Sequence, residues 1–248
     1  MPFVNFWNSK YLHSAKTFIA CLLALFFLTN QMAHAQLEER KPVINLPNYD
    51  VKKLHFGFYL ALNYATYRVK RSDFMAQHPD SIRSVSPIGS PGFTLGFIFN
   101  LKLADYVDLR LVPGVAFYER TLAYEFGKKG DYINQISENT MAEFPLLFKL
   151  KSERRANTRM YFLVGGKYSI ASGLRKKDKK PDELRTINND LSIEYGFGFD
   201  IYYEYFKFSP EIRFSHGLFQ SYANDPNPYA NALKQLNTHT VTISFHFQ

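Results

Sequence analysis

Residues 190–201 read DLSIEYGFGFDI, in which Leu191, Ile193, Tyr195, Phe197, Phe199 and Ile201 alternate with Asp190, Ser192, Glu194, Gly196, Gly198 and Asp200. Alternation with a period of two marks a β-strand, because successive side chains leave the pleat on opposite faces. One face of this strand is wholly apolar and largely aromatic. The other carries carboxylates, a serine and glycines. That division raises a question about which face is the inside.

The pattern recurs in seven other segments. Residues 55–67 set Phe56, Phe58, Leu60, Leu62 and Tyr64 against His55, Gly57, Tyr59, Ala61 and Asn63. Residues 92–101 set Phe93, Leu95, Phe97, Phe99 and Leu101 against Gly92, Thr94, Gly96 and Asn100. Residues 107–118 set Val107, Leu109, Leu111, Val115 and Phe117 against Asp108, Arg110, Gly114 and Ala116. Residues 141–150 oppose Phe144, Leu146, Phe148 and Leu150 to Glu143 and Lys149, and residues 159–170 oppose Met160, Phe162, Val164, Tyr168 and Ile170 to Arg159, Tyr161, Gly165 and Lys167. Residues 206–215 place Phe206, Phe208, Ile212 and Phe214 opposite Lys207, Glu211 and Arg213, and residues 238–248 place Val241, Ile243, Phe245 and Phe247 opposite Thr240, Thr242, Ser244 and His246. Eight strands result, each of about the ten residues that a tilted strand needs to cross a bilayer. No helical period competes with them.

The connections have a rhythm of their own. Residues 68–90, 119–139, 171–189 and 216–237 are long and polar, whereas 102–106, 151–158 and 202–205 are short. Long loops alternating with tight turns, around an even number of strands, are the sequence pattern of an outer-membrane β-barrel. The expected fold is all-β: an eight-stranded antiparallel up-and-down transmembrane barrel over residues 55–248, with both termini periplasmic and the long loops extracellular.

The start of the chain agrees with export. Lys10 and Lys16 precede the apolar run 17–28 (TFIACLLALFFL), and Ala33-His34-Ala35 offers a small-x-small cleavage site. Residues 1–35 therefore read as a signal peptide. Its removal takes Trp7 and Cys21, the only tryptophan and cysteine, and leaves 28 Lys+Arg against 22 Asp+Glu. Thiol catalysis and cysteine-ligated metal are excluded from what remains. Residues 36–54, with Pro42, Pro47 and mixed charge but no sustained period, read as a periplasmic N-terminal tail.

Composition narrows the alternatives. Of 248 residues, 46% are apolar and 17% aromatic, with 24 Phe and 17 Tyr, which rules out a disordered chain. A mean hydropathy of −0.25 excludes a bundle of apolar membrane helices. A secreted lipocalin-like barrel would also be closed and eight-stranded, but apolar inside. The interior of eight strands has room only for modest side chains, too little for this many Phe and Tyr. A lipocalin-like chain would also be expected to carry a Trp near its first strand, and none is there. The aromatic face therefore meets outer-membrane lipid. Asp108, Arg110, Glu143, Lys149, Lys167, Glu194, Asp200, Lys207, Glu211 and Arg213 then face the lumen, five acids against five bases. In so narrow a barrel they are expected to pair with one another and close it, rather than line a channel.

The histidines are the candidate groups for chemistry. His216 beside Ser215, with Asp225 nearby, is the best candidate for a nucleophilic set, but no spacing ties the three together. His78 falls in a loop, and His55 and His246 lie where the barrel begins and ends. No HExxH pattern or phosphate-binding glycine loop occurs, so no catalytic, metal or cofactor site is expected. The basic run Arg175-Lys176-Lys177-Asp178-Lys179-Lys180 could attract anionic headgroups, though a solvated loop tip is the simpler reading. Nothing in that loop stacks on bases, and no nucleic-acid partner is expected.

Three blocks carry a family resemblance. They are Pro47-Asn48-Tyr49-Asp50 with His55-Phe56-Gly57-Phe58; Ser90-Pro91-Gly92-Phe93-Thr94-Leu95-Gly96 with Asp108-Leu109-Arg110-Leu111-Val112-Pro113, Phe117 and Arg120; and Glu138-Asn139 with Glu143-Phe144-Pro145-Leu146-Leu147-Phe148-Lys149, Ser152, Asn157, Tyr161 and Gly165-Gly166. Over about residues 47–170 the chain resembles the PorT family of Bacteroidetes. The resemblance implies an outer-membrane component required for type IX protein secretion and, in gliding species, for surface motility. It implies no catalytic set. The terminal Gln248 departs from the aromatic last residue usual for outer-membrane barrels, leaving Phe247 and Phe245 beside it.

Two classes of function follow: a non-enzymatic secretion component whose partners are other secretion proteins, and a lipid-modifying barrel enzyme acting near His216. A generic adhesion barrel is a third. On the first reading Asn48, Tyr49 and Asp50, which combine an aromatic ring with hydrogen-bonding groups, are the candidate partner-binding residues, free to dock on another protein or to fold into the barrel mouth.

Overall fold

The computed structural model describes residues 43–72, 82–126, 132–171, 189–221 and 233–248. Nine strands form one antiparallel sheet: β1 (Leu54–Arg71), β2 (Ile82–Lys102), β3 (Val107–Leu111), β4 (Gly114–Phe126), β5 (Tyr132–Lys151), β6 (Thr158–Ala171), β7 (Asn189–Tyr202), β8 (Lys207–Gly217) and β9 (Leu233–Phe247). Apart from β3 and β4, which lie end to end, consecutive strands pair with one another, and β1 pairs with both β2 and β9, so the sheet closes on itself. Closure leaves no sheet edge.

The count of nine differs from the expected eight for a local reason. The expected strand at 107–118 is split into β3 and β4, both lying between β2 and β5. Pro113 has no backbone N–H to give to the ladder. The pairing nevertheless runs through the break, since Val112 N–H donates to the Pro145 carbonyl at 3.0 Å and Phe97 N–H to the Pro113 carbonyl at 2.9 Å. The wall has eight staves, one of them interrupted.

The strands also run further than expected. Much of 68–90 and 119–139, read from sequence as loop, is strand: β1 reaches Arg71, β2 starts at Ile82, β4 reaches Phe126 and β5 starts at Tyr132. Of the expected N-terminal tail, residues 43–54 are described. Tyr49–Val51 form a short 3-10 turn, and the preceding residues lie on the barrel mouth within the same compact unit, Ile44–Gln248.

Side chains divide as the alternation requires. On β6 exposure alternates almost without fault from Thr158 to Ala171. Phe56, Phe58, Leu60, Leu62 and Tyr64 are all more than half exposed on the outside of β1, while Tyr59, Ala61, Asn63 and Ala65 are buried inside. The outer apolar run from Phe56 to Tyr64 spans about 26 Å along the strand, or about 20 Å along the barrel axis at a tilt of roughly 40°. That height suits an outer-membrane apolar band of about 25 Å. Glycine permits close approach inside: Gly96 and Gly114 face each other across β2 and β4, and the Tyr59 ring lies where their side chains would be.

Candidate functional site

The interior is the chemically distinctive part of the molecule. The structure buries all ten charged residues expected on the lumen face, and it brings them together in one chain of contacts. At the short-turn end Asp200 accepts from Lys149 at 2.6 Å and from Ser209 at 2.7 Å, with Lys207 at 3.8 Å. Asp108 accepts from Lys151 at 2.6 Å and from Asn100 at 2.9 Å, and Asn100 in turn accepts from Arg110 Nε. Arg110 Nη1 donates to Glu211 Oε2 at 2.9 Å, and Tyr161 donates to the same oxygen. Glu211 also meets Arg213 at 3.0 Å, which meets Glu194 at 3.2 Å. Lys167 then joins Glu194 to Glu143, at 3.2 and 2.9 Å, and Tyr118 donates to the same Glu143 oxygen at 2.8 Å.

The ladder follows from strand register. Glu211 faces Gly198 across β7–β8 and Arg213 faces Gly196, and the missing side chains give the long ones room to turn inward. Lys149 lies over the Tyr161 ring at 3.7 Å, adding a cation–π contact to its ion pair. Each buried charge here has an opposite charge in reach, which offsets the desolvation that an isolated ion would suffer. Beside the network lies an apolar cluster in which Tyr59, Ile98, Val112, Leu147 and Leu163 pack together, and Ser, Thr and Asn side chains such as Asn63, Thr94, Thr242 and Ser244 line other parts of the interior.

The mouth at the turn end is covered by the chain's own N-terminal segment. Asp50 makes a two-point contact with Arg159, Oδ1 to Nη1 and Oδ2 to Nη2, both 3.0 Å, and its carbonyl accepts from Lys102 at 3.0 Å. Tyr49 stacks on His55 at 4.0 Å, meets Tyr202 edge-on and has Lys207 4.5 Å above its ring. Burial pushes the Tyr49 phenol above its ordinary range, so it stays protonated. Asn45 donates to the Tyr202 carbonyl, and Arg154 donates to the carbonyls of Asn45 and Leu46. Leu46 adopts a left-handed φ of 46°, a conformation a leucine holds only when its surroundings fix it. Beneath the segment a polar cavity lined by Tyr49, Asp50, Asp108, Lys151, Arg159 and Lys207 has room for about one water molecule. Of the candidate partner-binding residues, Tyr49 and Asp50 turn into the barrel and Asn48 stays exposed.

The expected catalytic grouping does not assemble. Ser215 is buried in the lumen, whereas His216 projects from the outer face, as adjacent residues of one strand must. Asp225, His78 and the basic run at 175–180 lie outside the described residues. His246 is buried in the lumen 3.7 Å from Glu211. Among the described residues no group of three or more His, Cys, Asp or Glu side chains is arranged to hold a metal ion. Sequence reasoning missed Lys151, the lumen-side role of Arg159 and the latch on Asp50. The first was readable from parity with Lys149, the latch only from the closed fold.

Residues 34–223 match the outer membrane protein beta-barrel domain family. The chain belongs to that family. Solved structures of small outer-membrane barrels are similar to this outer-membrane barrel in fold. The outer membrane protein OprG from Pseudomonas aeruginosa is 14% identical with a TM-score of 0.44, over 77% of this chain and 95% of OprG. Neisserial surface protein A is 9% identical with a TM-score of 0.42, over 79% and 98%. Ail, the attachment invasion locus protein of Yersinia pestis, solved with the heparin analogue sucrose octasulfate, is 10% identical with a TM-score of 0.34, over 79% and 99%. No curated protein sequence matches the chain.

Proposed function

We propose that this outer-membrane barrel is a non-enzymatic component of the type IX protein secretion machinery, required for export of cargo to the cell surface. In this reading the short turns and both termini face the periplasm, and the long loops face outward. The observation that carries the non-enzymatic, non-channel part is the continuous run of ion pairs and hydrogen bonds, through Asn100, from Asp108 to Glu143, which fills the lumen with charges already engaged with one another. Charges so engaged are held in place by one another rather than set around a substrate, and a lumen so filled leaves no passage for cargo. The chain then works by presenting fixed surfaces to partner proteins. The resemblance of residues 47–170 to the PorT family supplies the pathway. The mouth is the surface favoured for docking: the segment around Asn48 is held in one conformation on the turn end, with Pro47 and Asn48 outermost.

Deletion of the gene tests the pathway, with cargo accumulating inside the cell as the expected result. Normal secretion would overturn it. Replacing Asn48, Tyr49 and Asp50 together by alanine tests the surface. Cargo retention with a barrel that still shows heat-modifiable gel mobility supports docking there, and normal secretion moves the partner surface to the loops.

A further inference from the structure

On the outside of the barrel, β8 and β9 place His216 directly across from His239. Their Nδ1 atoms are 3.1 Å apart, with ring centroids at 4.6 Å and a tilt of 32° between the rings. Two facing Nδ1 atoms at this distance share one proton, donated by one ring and accepted by the other. On the far side of His216, Nε2 lies 3.0 Å from the Tyr195 hydroxyl, and the two rings stack. Neither histidine serves the lumen network, and both sit just past the apolar run Phe245, Ile243 and Val241 of β9, where the outer surface turns polar.

We propose that His216 and His239 form a two-imidazole site for a late first-row divalent metal ion, Cu2+ above all, at the membrane boundary of the outer face. Two metal–nitrogen bonds of about 2.05 Å closing on nitrogens 3.1 Å apart subtend roughly 100°. That lies between the square-planar and tetrahedral angles, so the pair is spaced as neighbouring ligands of one ion. On metal binding the ring that held the shared proton on Nδ1 passes it, through solvent, to its own Nε2, so both rings bind as neutral Nε2–H tautomers through Nδ1. His216 then donates its Nε2–H to Tyr195, the outer-shell bond that fixes tautomer and ring orientation in metal-binding histidines. The remaining coordination positions open to solvent at the barrel surface, and a nitrogen-rich site with open positions favours copper among the divalent ions.

The test titrates untagged protein in detergent with Cu2+ alone and reads bound metal by equilibrium dialysis and electron paramagnetic resonance. One equivalent bound with two-nitrogen coupling is expected. Affinity should fall at least about tenfold in His216→Gln and in His239→Gln, and about tenfold in Tyr195→Phe, which keeps both ligands. Both histidines point outward, so the variants should fold, as heat-modifiable mobility will report. In unaltered protein, diamagnetic Zn2+ should shift the imidazole nitrogen resonances of His216 and His239 together, which tests the site without any substitution. Wild-type affinity in both glutamine variants, loss of binding in His78→Gln instead, or Zn2+ shifts confined to other histidines would overturn the assignment.

Discussion

Glu211→Ala removes the junction of the interior network. Glu211 is the carboxylate with which Arg110 forms its ion pair among the described residues, and the Arg110 side chain is completely buried. Arg213 also loses a contact but keeps Glu194. The substitution therefore strands one guanidinium. Removing one partner of a buried pair costs about 3–5 kcal/mol, and because only one cation is left alone that cost is counted once. Glu194→Ala is the internal control: it touches two cations, yet Arg213 keeps Glu211 and Lys167 keeps Glu143. Its cost should stay nearer the penalty of unmade hydrogen bonds, about 1–3 kcal/mol. Reversible urea unfolding in lipid vesicles, followed by circular dichroism and gel mobility, measures both. Arg110→Met added to Glu211→Ala should recover much of the loss, since no charge is then stranded. Equal costs for the two single variants, or a Glu211→Ala cost below about 1 kcal/mol, would refute the reasoning.

Phe97→Arg and Phe197→Arg put a cation on the lipid face and should each cost about 2–4 kcal/mol if mid-membrane; near-neutral unfolding free energies at both would mean the faces are inverted. Pure protein in planar bilayers should show no steady conductance, and reproducible single-channel steps would contradict a filled lumen. Asp50→Ala breaks the two-point contact with Arg159, so trypsin should cut after Lys52 and Lys53 faster than in the unaltered protein while barrel mobility on gels stays the same.

The strands and their faces were legible because lipid enforces a clean contrast: every second residue of 190–201 had to be apolar, and the residues between had to fit a narrow interior. The break at Pro113 was readable in principle from the missing N–H. The upper strand segments were not. Beyond the apolar band Glu119, Arg120 and Thr121 no longer meet lipid, so a strand there carries no period-two contrast and reads as loop. Parity also decides two points that composition obscured. Leu147 shares its face with Glu143 and Lys149 and is buried, although its apolarity suggests lipid, and Ser215 cannot share a site with the outward His216. Which acid meets which base was beyond the sequence. Asp50 and Arg159 are 109 residues apart, and their meeting depends on the stagger of a closed sheet.

The claim at the centre is that lipid touches the aromatic face and the charged face is sealed inside. In a Cys21→Ser background, single cysteines at 160–164 on β6, carrying nitroxide labels in reconstituted vesicles, measure it through collisions with dissolved oxygen. Oxygen accessibility should be high at Met160, Phe162 and Val164 and low at Tyr161 and Leu163. The opposite phase, or no alternation, would contradict the account.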